Sequence, residues 1–119
     1  MNKLLVAIFV LCLPSISIAK ETRCGWLDNP TPSNLWLIDK DAEWIISKQG
    51  GHIALGIDKI KDFPDDQYIH TNGNYGYGCA CLVVDVDKTN KVITTIYSAK
   101  NIDISRCQND KKIKTMLTN

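Results

Sequence analysis

The chain has 119 residues, 45% hydrophobic, 23% charged and 8% aromatic, with 14 Lys+Arg against 13 Asp+Glu and 5 cysteines. That size and balance fit one small globular domain. They exclude a disordered or collagen-like chain, a multidomain enzyme and the basic footprint that nucleic-acid binding requires.

Residues 1–19 read as a signal peptide. Lys3 supplies the positive start, Leu4 to Leu13 is an unbroken apolar run, Pro14 ends it, and Ser17-Ile18-Ala19 offers small residues for cleavage after Ala19. The run is about half the ~20 apolar residues a membrane span needs. Lipidation at Cys12 is disfavoured by the bulky Leu11 before it. Cleavage leaves a single domain, residues 20–119, which loses Lys3 and Cys12 and so carries equal numbers of acidic and basic groups. A neutral exported chain with no further membrane span is expected, and any recognition must rest on local shape and aromatic contacts.

Four cysteines remain, Cys24, Cys79, Cys81 and Cys107, and an even count in a small exported chain implies two disulfides. In an extended strand Cys79 and Cys81 lie ~6.5–7 Å apart, at the edge of disulfide geometry, so a bridge between them is disfavoured. Cys24 and Cys107 should each join one of the central pair. Cys24 with Cys79 and Cys81 with Cys107 is the working pairing, although geometry does not separate it from the alternative. The competing reading, a soft-metal or redox site at Cys79-Ala80-Cys81 with His52 or His70, fails on spacing, because structural zinc sites place two or more residues between paired cysteines. No metal or cofactor is expected.

In chain order, Leu35 to Ile38 and Glu43 to Ser47 flank the polar turn Asp39-Lys40-Asp41 as a hairpin, and His52 to Leu55 forms a third strand between Gly51 and Gly56. Residues 57–68 form a polar connection with one helical turn. From Gly78 to Val86 the even positions Ala80, Leu82, Val84 and Val86 make one apolar face, with the cysteines on the other, as expected of a central, covered strand. Lys88-Thr89-Asn90 turns the chain into a β-branched strand, Val92 to Tyr97. Ser105 to Leu117 has a candidate N-cap in Ser105 and apolar Ile113, Met116 and Leu117 at helical spacing, and reads equally as a frayed tail. The fold class is therefore mainly β: a small antiparallel sheet, sandwich or partly open barrel, stapled by two disulfides, with a short C-terminal helix.

The segments Thr22-Arg23-Cys24-Gly25-Trp26-Leu27-Asp28-Asn29-Pro30-Thr31-Pro32, Trp36-Leu37, Glu43-Trp44, Gln49-Gly50-Gly51, Thr71 to Cys81 and Ser105-Arg106-Cys107 together resemble a family of small exported bacterial proteins, domain of unknown function 4087. The resemblance covers nearly the whole chain after residue 19 and implies no catalytic residues.

The chemical motifs are weak. Asp85 to Ile96 starts like a calcium loop but has Asn90 at the sixth position and Ile96 at the twelfth, so it reads as a hairpin turn. His52 and His70 have no nucleophile motif beside them, and Asp62, Asp65 and Asp66 read as a solvated loop. Trp36 and Trp44 are expected in the core. Trp26 precedes a proline-containing segment taken as irregular and exposed. Tyr75 and Tyr77 are flanked by Asn72-Gly73-Asn74 and Gly78, and a bridge at Cys24 would bring Trp26 beside them. The candidate binding residues are thus Trp26, Asn72, Tyr75 and Tyr77, and the catalytic residues none. The favoured function is a non-catalytic exported binding module, inhibitor-like or recognising an envelope or extracellular protein or glycan through aromatic loops. The alternative is a small hydrolase of cell-envelope polymers using His70 and a carboxylate, which would show as a concave pocket holding the two together.

Overall fold

The computed structural model describes residues 20–114. The expected signal peptide, Met116 and Leu117 lie outside that range. The described chain is mainly β, a six-stranded mixed sheet in the order β1-β2-β3-β6-β5-β4, with an additional β1–β5 pairing. The strands are β1 (Glu21–Thr31), β2 (Asn34–Ile38), β3 (Glu43–Ser47), β4 (Ile69–Asn72), β5 (Tyr75–Asp87) and β6 (Val92–Asn101), followed by the short helices α1 (Ile104–Gln108) and α2 (Lys111–Lys114).

The β1–β5 pairing bends five strands into a ring. β1 lies antiparallel to β5 from Glu21↔Val84 to Asn29↔Gly76, and its other edge pairs with β2. The segment expected to be irregular is therefore strand through Thr31. Pro30, which has no N–H for a ladder, sits where the β1–β2 register shifts between Asp28 and Thr31. The ring is weakest between β3 and β6, which share the single parallel pair Ile45↔Val92. The expected third strand, His52 to Leu55, forms only isolated bridges, but they cross this gap: the Ala54 amide donates to Ile46, Leu55 to Thr94, and Ile96 back to Leu55. Ala54 points inward while Ile53 and Leu55 face solvent.

Alternation sorts the side chains into two cores. Leu27, Leu37, Trp44, Ile46, Leu82 and Ile93 are among those filling the barrel. Trp26, Ile38, Cys79, Cys107 and Ile113 form a second cluster on the outer wall, which α1 and α2 cover. The alternating apolar face of β5 and its opposed cysteines are as the sequence implied. The cap of α1 is not: Asp103, not Ser105, accepts from the Ser105 amide at 2.9 Å.

The two disulfides are Cys24–Cys81 and Cys79–Cys107, the reverse of the working pairing. Strand register decides this. Cys24 stands opposite Cys81, with Cα atoms 4.0 Å apart, while Trp26 stands opposite Cys79. Cys79 is left to reach Cys107 on α1.

Candidate functional site

The two ends of the barrel differ in chemistry. At one end β1 begins and β2 finishes, and Arg23 closes the opening. Its guanidinium donates to Asp39 at 2.8 Å, Asp41 at 3.0 Å and Glu21 at 3.0 Å, and lies 4.1 Å over the Trp44 ring. Asp39 also accepts from the Asp41 and Ala42 amides and the Trp44 indole. Burial works to push the Asp39 carboxyl up, but Arg23 and these three donors outweigh it and hold it below the usual carboxylate range. A Cβ at Gly25 would stand 2.1 Å from the Ile38 carbonyl oxygen, so only glycine lets β2 pass this close. Arg23 engages the carboxylates of Glu21, Asp39 and Asp41, while its own Nε is buried without a partner among the described residues, and the charged concavity of about 370 Å³ over this cluster, reaching Lys40 and Asp110, has no apolar floor.

At the other end the barrel is open. A groove of about 390 Å³ lies between the β1–β2 turn, the 60–68 connection and the β4–β5 hairpin. Leu27, Leu35 and Ile60 form its apolar floor; Phe63 and Tyr68 form a wall; Asp62, Asp65, Lys61 and Asn74 stand at the rim. Phe63 stacks on Tyr68, centroids 5.5 Å apart and planes at 26°, and Tyr68 meets His70 edge to face at 5.1 Å. Phe63 is seated on β5 because residue 78 is glycine: a Cβ there would come within 2.6 Å of its ring. Gly76 has a related role, since a Cβ would stand 1.9 Å from the Ile69 carbonyl oxygen and force β4 away.

The walls are pinned from two sides. Asn101, at the end of β6, donates to the carbonyls of Lys61 and Asp62, each at 3.1 Å, and Gln67 accepts from the Ile104 amide at 2.8 Å. The groove is therefore preformed. Burial pushes the Tyr68 phenol above its usual value; the Gly76 amide opposes this, and the negative charges of Asp28 and Asp62 add to the rise. Burial likewise pushes the Asp28 carboxyl up, against the Trp36 indole that donates to it at 3.2 Å. His70 is held by Gly73, whose carbonyl can only accept, so Nδ1 carries the proton and donates at 3.0 Å. Nε2 is left facing Asp65 at 3.8 Å.

The candidate binding residues fall largely elsewhere. Trp26 is only 3% exposed, buried in the outer-wall cluster, where it meets Tyr77 edge to face at 4.9 Å. The expected proximity to Tyr77 is present, but the exposed aromatic patch is not. Trp44 is core, as expected, whereas Trp36 is half-buried at the edge of the second cluster. Asn72 ends β4 and pairs with Tyr75, the first residue of β5, while Gly73, at φ 58, and Asn74 make the hairpin turn between them. Among the described residues no group of His, Cys, Asp and Glu is arranged to hold a metal ion, and no helix is long and apolar enough to cross a membrane. The residues missed from sequence are Leu27, Leu35, Phe63 and Tyr68. The signal available was the apolar island Ile60 and Phe63 inside an otherwise polar connection.

A family model described as a protein of unknown function, DUF4087, matches residues 18–114. The chain belongs to this family. No curated protein and no solved structure matches it. The DUF4087 match spans both barrel ends, so the plugged opening and the groove lie within the family's own domain.

Proposed function

We propose that this DUF4087 protein is an exported, non-catalytic binding module whose ligand, part of an envelope or extracellular protein or glycan, enters the groove at the open end of the barrel. The observation that carries this reading is the groove itself: an apolar floor, a seated aromatic wall and a polar rim, held by Asn101 and Gln67 before any ligand arrives. Its lining contains no serine, threonine or cysteine to act as a nucleophile. Export rests on the N-terminal pattern and agrees with two disulfides.

One observation favours the hydrolase as a second reading. The groove is concave and holds His70 beside Asp65, with Nδ1–H fixed on Gly73 and Nε2 free to take a proton from water. A single experiment separates the two. Cell-envelope fractions are titrated into isotopically labelled protein, following the amides of Asn29, Phe63, Tyr68 and His70 while the fractions are assayed for released soluble fragments. Amide shifts without release, lost in Tyr68→Ala, are the expected result. Release that stops in His70→Gln would establish the hydrolase instead, and shifts that persist unchanged in Tyr68→Ala would move the site out of the groove.

A further inference from the structure

Resting on that reading of the groove, we infer that its ligand is an organic cation: an ammonium or guanidinium at the end of a slim apolar stem. The floor of Leu27, Leu35 and Ile60 offers contact to methylenes and few polar partners. At the rim, Asp62 and Asp65 are exposed carboxylates, and among the described residues no lysine or arginine pairs with either; the one ionisable neighbour is His70, 3.8 Å from Asp65. Lys61 is the single lysine or arginine among the lining residues. The charges of Asp28 and Asp62 both also bear on the Tyr68 hydroxyl. A pyranose would need one broad free face, yet these rings already stack on each other, with Phe63 backed by Gly78 and Tyr68 met by His70. The groove thus offers an apolar floor beneath a rim that carries negative charge free of any lysine or arginine partner among the described residues, so that a stem can lie along the floor with its cationic end at the rim, an arrangement that suits a cation better than a neutral sugar.

The test is a titration of the labelled, disulfide-bonded protein with four probes. 1,5-Diaminopentane and Nα-acetyl-lysine methylamide carry the cation; Nα-acetyl-norleucine methylamide has the apolar stem without the charge; chitobiose is the neutral sugar. Both amines should shift the amides of Asp62, Phe63, Tyr68 and His70, with the norleucine compound about tenfold weaker. Tighter binding of the lysine derivative than of the diamine would mark a protein side chain as the source, and the reverse a free amine. Asp62→Asn with Asp65→Asn should weaken the amines about fivefold and flatten their salt dependence, leaving the norleucine compound unchanged. Equal binding of lysine and norleucine derivatives, or amine binding indifferent to the double substitution, overturns the inference. Groove shifts with chitobiose and none with the amines would overturn it while sparing the groove as a binding site. No shift at any groove amide with any probe would remove both.

Discussion

The two ends of the barrel are made from the same strands and reach opposite solutions. Where β1 starts, the Arg23 guanidinium engages the carboxylates of Glu21, Asp39 and Asp41 over the Trp44 ring, although its Nε stays buried without a partner among the described residues, and the concavity above it is lined by charged and polar groups. Where β1 ends, the lining is apolar and aromatic inside, and the charges stand unpaired at the rim. A charged group that is nearly buried must be paired to be tolerated, so the carboxylates at the first end are what allow Arg23 to lie there. An apolar opening that stays concave costs stability by leaving surface in water, and is retained where something else covers it. The contrast is the reason the proposed ligand is placed at the open end, and it makes energetic predictions that differ between the ends.

The largest effect is expected from Asp39→Ala. It strands the Arg23 guanidinium, whose side chain is only 10% exposed, and removes the acceptor for the Asp41 and Ala42 amides and the Trp44 indole. Breaking a buried pair from one side costs about 3–5 kcal/mol, measurable by denaturant unfolding. Groove amide shifts with ligand should survive wherever the fold does. The carboxyls also predict acid behaviour of opposite sign at the two ends. Asp39 titrates below its unfolded value, so its contribution is present above about pH 4 and is lost as the pH falls through the folded pKa. Asp28, pushed up by burial near Tyr68, favours its protonated form and so subtracts stability as the pH rises from its unfolded to its folded pKa. Unfolding measured across acid pH should show the Asp39 loss abolished in Asp39→Asn and the Asp28 loss abolished in Asp28→Asn; identical profiles for both variants and the parent would refute the assignment.

The disulfides sharpen the contrast. Cys24–Cys81 joins two strands already paired over nine positions, and Cys24 lies on the surface towards the closed end. Cys79–Cys107 is buried and anchors α1, whose Ile104 amide holds Gln67 just before Tyr68. Loop entropy favours the first bridge by only ~0.6 kcal/mol, since sequence separations of 57 and 28 differ by one doubling. Packing decides the other way. Removing either bridge should cost about 2–5 kcal/mol, with Cys79→Ala plus Cys107→Ala the costlier pair. That pair alone should red-shift tryptophan emission, because it uncovers Trp26, and should loosen the groove as read by the Tyr68 amide. A red shift produced instead by the Cys24 and Cys81 substitutions would reverse the assignment.

Much of this architecture was legible in the sequence because it follows from local pattern. The alternating face from Ala80 to Val86 and the turn at Lys88-Thr89-Asn90 need only neighbours to be read. What stayed hidden depends on pairing between distant strands. The β1 strand is set by β5, which is distant in the sequence, and that register fixes which cysteine meets which (Cys24 with Cys81) and buries Trp26 beneath α1. A surface reading of Trp26 followed reasonably from Pro30 and Pro32, yet strand pairing overrode it. The groove was hidden for the same reason. Phe63 looks like a stray apolar residue until Gly78 is placed beneath it.

That seat gives the smallest of the expected effects on stability and the most direct one on the site. The glycines of residues 72–78 resemble a flexible recognition loop in sequence, but in the fold they have separate duties. Gly73 takes a positive φ in the turn, Gly76 lets β4 approach, and Gly78 receives a ring. Gly76→Ala would drive a methyl into the Ile69 carbonyl, a backbone atom that can move only if the β4–β5 pairing is disturbed, so it should cost about 1–3 kcal/mol. Gly78→Ala meets only the Phe63 ring, which is half-buried and can swing outward. Its cost should stay near 1 kcal/mol, the low end for overpacking. The displaced ring would no longer stack on Tyr68, and the groove would lose its wall. Thermal unfolding and ligand titration of the two variants should therefore separate: Gly76→Ala chiefly lowers the melting temperature, whereas Gly78→Ala chiefly weakens binding. If Gly78→Ala melts far below the parent yet binds as before, Phe63 is a core side chain rather than the wall of a site, and the distinction between the open and closed ends fails at its most specific point.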